Sequence, residues 1–131
     1  MYVVFGNDIV DSNDIKNLIN SDSDFNVESD LTKSTNREDV VALKVSIKTD
    51  KILCECSFDQ YNEESFDEYM EKSEDMLCEF LGERLDNRMM TGAYKWDEVN
   101  DSIYLILVIS DVSLNPLKLK DIFARLIRQN D

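Results

Sequence analysis

The sequence predicts an α+β domain, and three of its stretches carry that reading. Val40 to Lys48 alternates apolar and polar residues with the period of two that belongs to a strand. Asn62 to Leu85 repeats its apolar residues at three- and four-residue steps, the period of a helix. Ile103 to Ile109 is apolar without a break, as a strand covered on both faces would be. Three Gly and one Pro in 131 residues leave few breaks in regular structure, so most of the chain is expected in elements. With 43% hydrophobic residues the chain can bury a core as a single domain, 1–131, without disulfide or metal staples.

Taken in order, Tyr2 to Phe5 is β-branched and aromatic and is closed by Gly6, which reads as a first strand. Ser12 is placed to cap a short helix in which Ile15, Leu18 and Ile19 share a face and which Asn20 ends. Ser21 to Asp39 is polar, with Phe25, Val27 and Leu31 isolated, and reads as a long surface loop with room for one irregular strand. Val41, Leu43, Val45 and Ile47 then point one way and Ala42, Lys44, Ser46 and Lys48 the other; after a turn at Thr49-Asp50-Lys51, Ile52, Cys54, Cys56 and Phe58 resume the alternation. A β-hairpin over Val40 to Phe58 follows. Asn87 to Gly92 reads as a loop, Ala93 to Val99 as an edge strand, and Ser102 to Ser110 as a central strand. Asn115 caps a closing helix with Pro116 at its first position, where a missing N–H costs nothing, and Leu119, Ile122, Phe123, Leu126 and Ile127 form its buried face. The expected architecture is a mainly antiparallel sheet with helices packed on one face, a ferredoxin-like core being the nearest plan, with an added strand and a C-terminal helix.

The helix from Asn62 to Leu85 organises the rest. Phe66, Tyr69, Met70, Ser73, Met76, Leu77, Phe80 and Leu81 gather into its apolar stripe. Glu64, Asp67, Glu68, Glu71, Glu74, Asp75, Glu79 and Glu83 occupy the remaining circumference, with Lys72 the only cation among them. Glu64 with Glu68, Asp67 with Glu71, Glu71 with Asp75, Asp75 with Glu79 and Glu79 with Glu83 are like-charge pairs four apart, each costing an isolated helix about 0.2–0.5 kcal/mol. A helix selected for stability alone would mix its charges. The face is either a solvated surface that keeps an acidic protein in solution or a docking surface for something basic.

Composition excludes several functions. A net charge of −14 argues against binding nucleic acid or an anionic membrane through a basic patch, and favours a cationic partner. No stretch approaches the length of a membrane span, and Met1 to Asp8 has neither the basic region nor the apolar core of a signal peptide. Three cysteines, an odd number without framework spacing, read as reduced thiols, so a soluble, cytoplasmic protein is expected. The chain has no histidine, which removes the commonest general base and the commonest metal ligand together, and no enzymatic activity is expected. Cys54 and Cys56, two apart on a strand, face the same way and Cys78 could approach them, but buried structural thiols are the expectation; no cofactor or metal is assigned. Asp22-Ser23-Asp24-Phe25-Asn26 begins like a calcium loop and then fails, with Val27 where Gly is needed and Lys33 where Glu is needed. Tyr61, Tyr94 and Trp96 are expected in sheet or core packing, Trp96 being the exception best placed to anchor an interface.

In size, acidity, α+β patterning and lack of catalytic residues the chain resembles the small immunity proteins of bacterial contact-dependent growth inhibition and related toxin systems. The resemblance implies a cytoplasmic protein that binds the toxic domain of its cognate toxin, often a basic nuclease, and blocks its active site. Asp67, Glu68, Glu71, Glu74, Asp75 and Glu79 are then the contact residues, with Asp22, Asp24, Glu28, Asp30 and Trp96 as the alternative surface. Two other readings stay open: a phage-type nucleic-acid mimic that inhibits a restriction or CRISPR enzyme, and a small ligand-binding module, which tight metal binding would favour.

Overall fold

A computed structural model describes residues 1–130. Among these, the strands are β1 (Tyr2–Phe5), β2 (Asp8–Asp11), β3 (Asn26–Asp30), β4 (Val40–Lys48), β5 (Arg88–Asp97) and β6 (Ser102–Ser110), and the helices are α1 (Ser12–Asp22), α2 (Glu63–Gly82) and α3 (Pro116–Asn130). β1 and β2 form a hairpin of their own, turning at Gly6, whose φ of +63° suits a residue without a Cβ. The main sheet has the order β3-β4-β6-β5 and is antiparallel throughout.

The two central strands follow from their residues. β6 is apolar on both faces, and β4 pairs with it without interruption from Val40↔Ser110 to Lys48↔Ser102. Val41, Leu43, Val45 and Ile47 of β4, with Ile103, Leu105, Leu107 and Ile109 of β6, face one core. Ile15 and Ile19 of α1, Tyr69, Leu77 and Leu81 of α2, and Val3 and Phe5 of β1 close that core. Val40, Ala42, Ile106 and Val108 face the other way, against Leu119, Ile122 and Leu126 of α3. Helices therefore cover both faces, not one. Packing of helices on one face only is the expectation corrected here: a strand pair with apolar residues on each side buries both only between two layers.

β4, α2 and β5 make a split β-α-β unit with β6 between its strands, and α1 shares α2's face. β6, however, leads into α3 on the far face, and the remaining strand β3 enters ahead of β4.

Three local expectations are corrected. No strand follows Thr49–Lys51: residues 52–62 form an irregular loop, because β4 already has β3 and β6 as its neighbours and no edge is left for a second hairpin strand. The stretch from Arg88 to Gly92 is strand, not loop, since its backbone pairs with Ile106 to Ser110. β2 was not anticipated, and it makes Asp11 the cap of α1, accepting from the Asn13 N–H, while Ser12 is buried.

Candidate functional site

α2 is built to present one face. Its N-cap, Asn62, accepts from the Ser65 N–H at 3.2 Å, and Glu63 and Glu64 sit at the positive end of the helix dipole. At the other end Arg84 donates to the Phe80 carbonyl at 2.8 Å and lies over the Phe80 ring at 3.9 Å, supplying the cation that the terminus lacks within the helix itself. Ser65, Tyr69, Ser73, Leu77 and Leu81 are buried, a row at four-residue steps. Two residues along, and so about 200° round the helix, Asp67, Glu71, Asp75 and Glu79 form a second row, all exposed. Among the described residues no ion pair reaches these four.

The other two carboxylates expected in this surface are engaged elsewhere. Glu68 Oε2 accepts from the Cys56 thiol at 3.3 Å. Glu74 Oε1 accepts from the Ala93 N–H at 2.8 Å, beside the irregularity in β5 between Ala93 and Lys95. Burial pushes the Glu74 carboxyl above its ordinary value; the Ala93 N–H pulls the other way, and the Asp75 and Glu71 charges add to the rise.

The alternative surface does not come together in the same way. Asp22 and Asp24 are exposed at the end of α1. Glu28 accepts from the Ser46 hydroxyl at 2.6 Å, and Asp30 from the Ser12 hydroxyl at 2.6 Å and the Thr32 N–H at 2.9 Å. Burial alone would raise the Asp30 carboxyl, but the hydroxyls of Ser12 and Thr32 and the Thr32 N–H outweigh it and hold it below its ordinary value. Asp30 is a tie between α1, β3 and the turn that follows. Trp96 is no free anchor either: its ring lies 5.2 Å from that of Phe58 and its Nε1–H donates to Asp101. Tyr61, just before α2, is exposed at 90%, with Leu53 at 79% on the same loop. The expectation of sheet or core packing for Tyr61 is corrected: it lies exposed on the loop before α2.

The loop carries a second cluster. Cys54 and Cys56 have their sulfurs 3.3 Å apart, and the Tyr69 hydroxyl donates to the Cys56 carbonyl at 2.6 Å. The Ser65 hydroxyl donates to the Ser57 carbonyl and accepts from the Asp59 N–H. The Cys54 sulfur, and after it the Glu68 carboxylate, push the Cys56 thiol up to about 11. All three cysteines are only half-buried, so the expected burial is corrected: with no strand here, the loop leaves its thiols at the rim. Cys78 does not join them, lying instead 3.1 Å from Thr91 Oγ1 of β5.

Charge divides by layer. α2 carries eight Asp and Glu against Lys72, and α3, across the sheet, carries four Lys and Arg against Asp121. No helix is long and apolar enough to cross a membrane among the described residues. The chain matches no protein-family model, and no curated protein and no solved structure matches it.

Proposed function

We propose that the protein is a cytoplasmic binding protein, not an enzyme, which neutralises a basic protein partner by docking the outer face of α2 into it. The partner class is a toxin domain of the nuclease kind, whose phosphate-binding groove would receive the carboxylates. The observation that carries this reading is the row Asp67, Glu71, Asp75 and Glu79: four exposed carboxylates in register, opposite the buried row, with no cation paired to them among the described residues. Such a row can form charge-assisted hydrogen bonds with Lys and Arg and raise the association rate through field complementarity.

Size adds a condition. A 20-residue helix offers a strip of about 30 Å by 10 Å, roughly 300 Å², against the ~800 Å² per side of a standard interface. Neighbouring surface must join it: on the loop leading into α2, exposed Tyr61 is an aromatic anchor of the type found at hot spots, and exposed Leu53 adds apolar area.

A nucleic-acid mimic is the second reading. In its favour, the basic helix α3 lies across the sheet from α2 and would not oppose binding. Charge density weighs against it: a duplex presents a charge every ~1.7 Å, about 18 along a strip of this length, whereas α2 carries eight carboxylates, two of them engaged with Cys56 and Ala93.

The test is capture of partners on the tagged protein and on its Asp67→Lys/Glu71→Lys/Asp75→Lys variant, with washes at low and high salt. A single basic protein held in near-equal amount by the wild type, released by salt and lost on the folded variant, supports the reading. A partner held equally by both rejects the α2 face.

A further inference from the structure

The loop 52–62 and the first half of α2 bring two thiols and a carboxylate to one point. The sulfurs of Cys54 and Cys56 and a carboxylate oxygen of Glu68 all lie within 4.8 Å of one another, with Cys56 Sγ 3.3 Å from both partners. We propose that these three residues bind a zinc ion, which clasps the loop onto α2. This does not rest on the docking reading; either can fail without the other.

Distances come first. Tetrahedral zinc with sulfur at about 2.3 Å and carboxylate oxygen at about 2.1 Å sets sulfur–sulfur separations of about 3.8 Å and sulfur–oxygen separations of about 3.6 Å. The separations of 3.3 Å reach those values by opening a few tenths of an ångström, which side-chain rotation supplies. Two sulfurs and one oxygen suit zinc, a borderline-soft cation, and not calcium or magnesium, which take oxygen alone. Absence of histidine from the chain leaves thiolate and carboxylate as its zinc donors.

The surroundings hold the ligands in place. The Tyr69 hydroxyl fixes the Cys56 carbonyl, and Ser65 ties the loop at Ser57 and Asp59, the outer-shell support that orients ligands. A cleft of about 190 Å³, lined by Cys56, Asn62, Glu64, Ser65 and Glu68, gives access from solvent. A fourth coordination position would be left to water. Binding one Zn²⁺ releases the two thiol protons to solvent, so the ion is held by two thiolates and one carboxylate. The excess of carboxylates along α2 attracts the cation to the cleft.

The test uses the reduced full chain, with Zn²⁺ titrated calorimetrically and Co²⁺ as the optical probe. Expected are one equivalent bound, a thiolate-to-cobalt charge-transfer band, and zinc protection of Cys54 and Cys56, but not Cys78, from alkylation. Cys54→Ser/Cys56→Ser should abolish the band, Cys78→Ser should keep it, and Glu68→Gln should weaken binding by about tenfold or more, the scale on which outer-shell losses already act. Should the double variant fail to fold, alkylation of the wild type still decides. Absence of stoichiometric binding, a cobalt spectrum without the sulfur band, equal alkylation of all three thiols with and without zinc, or a Cys54–Cys56 disulfide formed in place of the metal complex overturns the proposal.

Discussion

Glu74, on the acidic helix, accepts a hydrogen bond from the backbone N–H of Ala93 at 2.8 Å, and so the one carboxylate of α2 that reaches the sheet satisfies a donor on edge strand β5. Its folded-state carboxyl lies above the ordinary value of 4.5. The folded state thus binds the proton more tightly than the unfolded one, and the contribution of Glu74 becomes more favourable as pH falls through the raised value. Glu74→Gln keeps an acceptor for Ala93 and removes the charge. It should be more stable than the wild type at pH 7 by about 0.2–0.5 kcal/mol, the size of a like-charge helix pair, and the difference should close on acidification towards pH 4.5. Glu74→Ala removes the acceptor too and should cost about 1 kcal/mol. Urea denaturation at several pH values checks both.

The repulsion along α2 has a direct stability consequence. Glu71 stands four residues from both Asp67 and Asp75, so Glu71→Lys turns two repulsive pairs into attractive ones. A gain of about 0.5–2 kcal/mol is expected, shrinking with added salt as the charges are screened. Thermal melts at low and high ionic strength measure it. An unchanged melting temperature at low salt would mean that solvent already screens the row.

Tyr69 links the helix to the thiol loop. Its ring is buried and its hydroxyl donates to the Cys56 carbonyl. Tyr69→Phe should cost about 0.5–1.5 kcal/mol and should raise the alkylation rate of Cys54 and Cys56 more than that of Cys78. Chemical denaturation together with mass spectrometry of the alkylated thiols reads both effects.

Gly92 lets α3 close on β5. A Cβ at this position would overlap the Phe123 ring, which sits directly over the strand. Gly92→Ala should therefore destabilise by about 1–3 kcal/mol, the usual cost of overpacking. Pairing it with Phe123→Leu should recover part of that loss, and a double-mutant cycle gives the coupling.

The fold was legible where periodicity was long and unambiguous. β4, α2 and α3 stand out because nine to twenty residues repeat one period, β6 because it is apolar without a break, and Asn115 marks the start of α3. The false strand at Ile52 to Phe58 had equally clean alternation, but whether a strand forms depends on a free edge, and that is a property of the whole sheet. Met89 to Gly92 carries little pattern by itself, and the pairing of β5 with β6 decides its length. Of the acidic face, composition could name all six carboxylates but not separate the exposed row from Glu68 and Glu74, whose partners come from other elements. The cysteine pair was visible as a spacing, whereas the third member, Glu68, required the loop's path over α2.

The proposed docking of α2 on a basic partner runs through Asp67, Glu71, Asp75 and Glu79. The most direct measurement is the affinity of the captured partner for the wild type, for Asp67→Lys/Glu71→Lys/Asp75→Lys, and for Asp22→Lys/Asp24→Lys as a control on the other acidic surface, at two salt concentrations. A large loss confined to the α2 variant, with a flatter salt dependence, is the predicted result. Equal affinity of the wild type and the folded α2 variant would contradict the claim, and a loss confined to the control would transfer the interface to the end of α1.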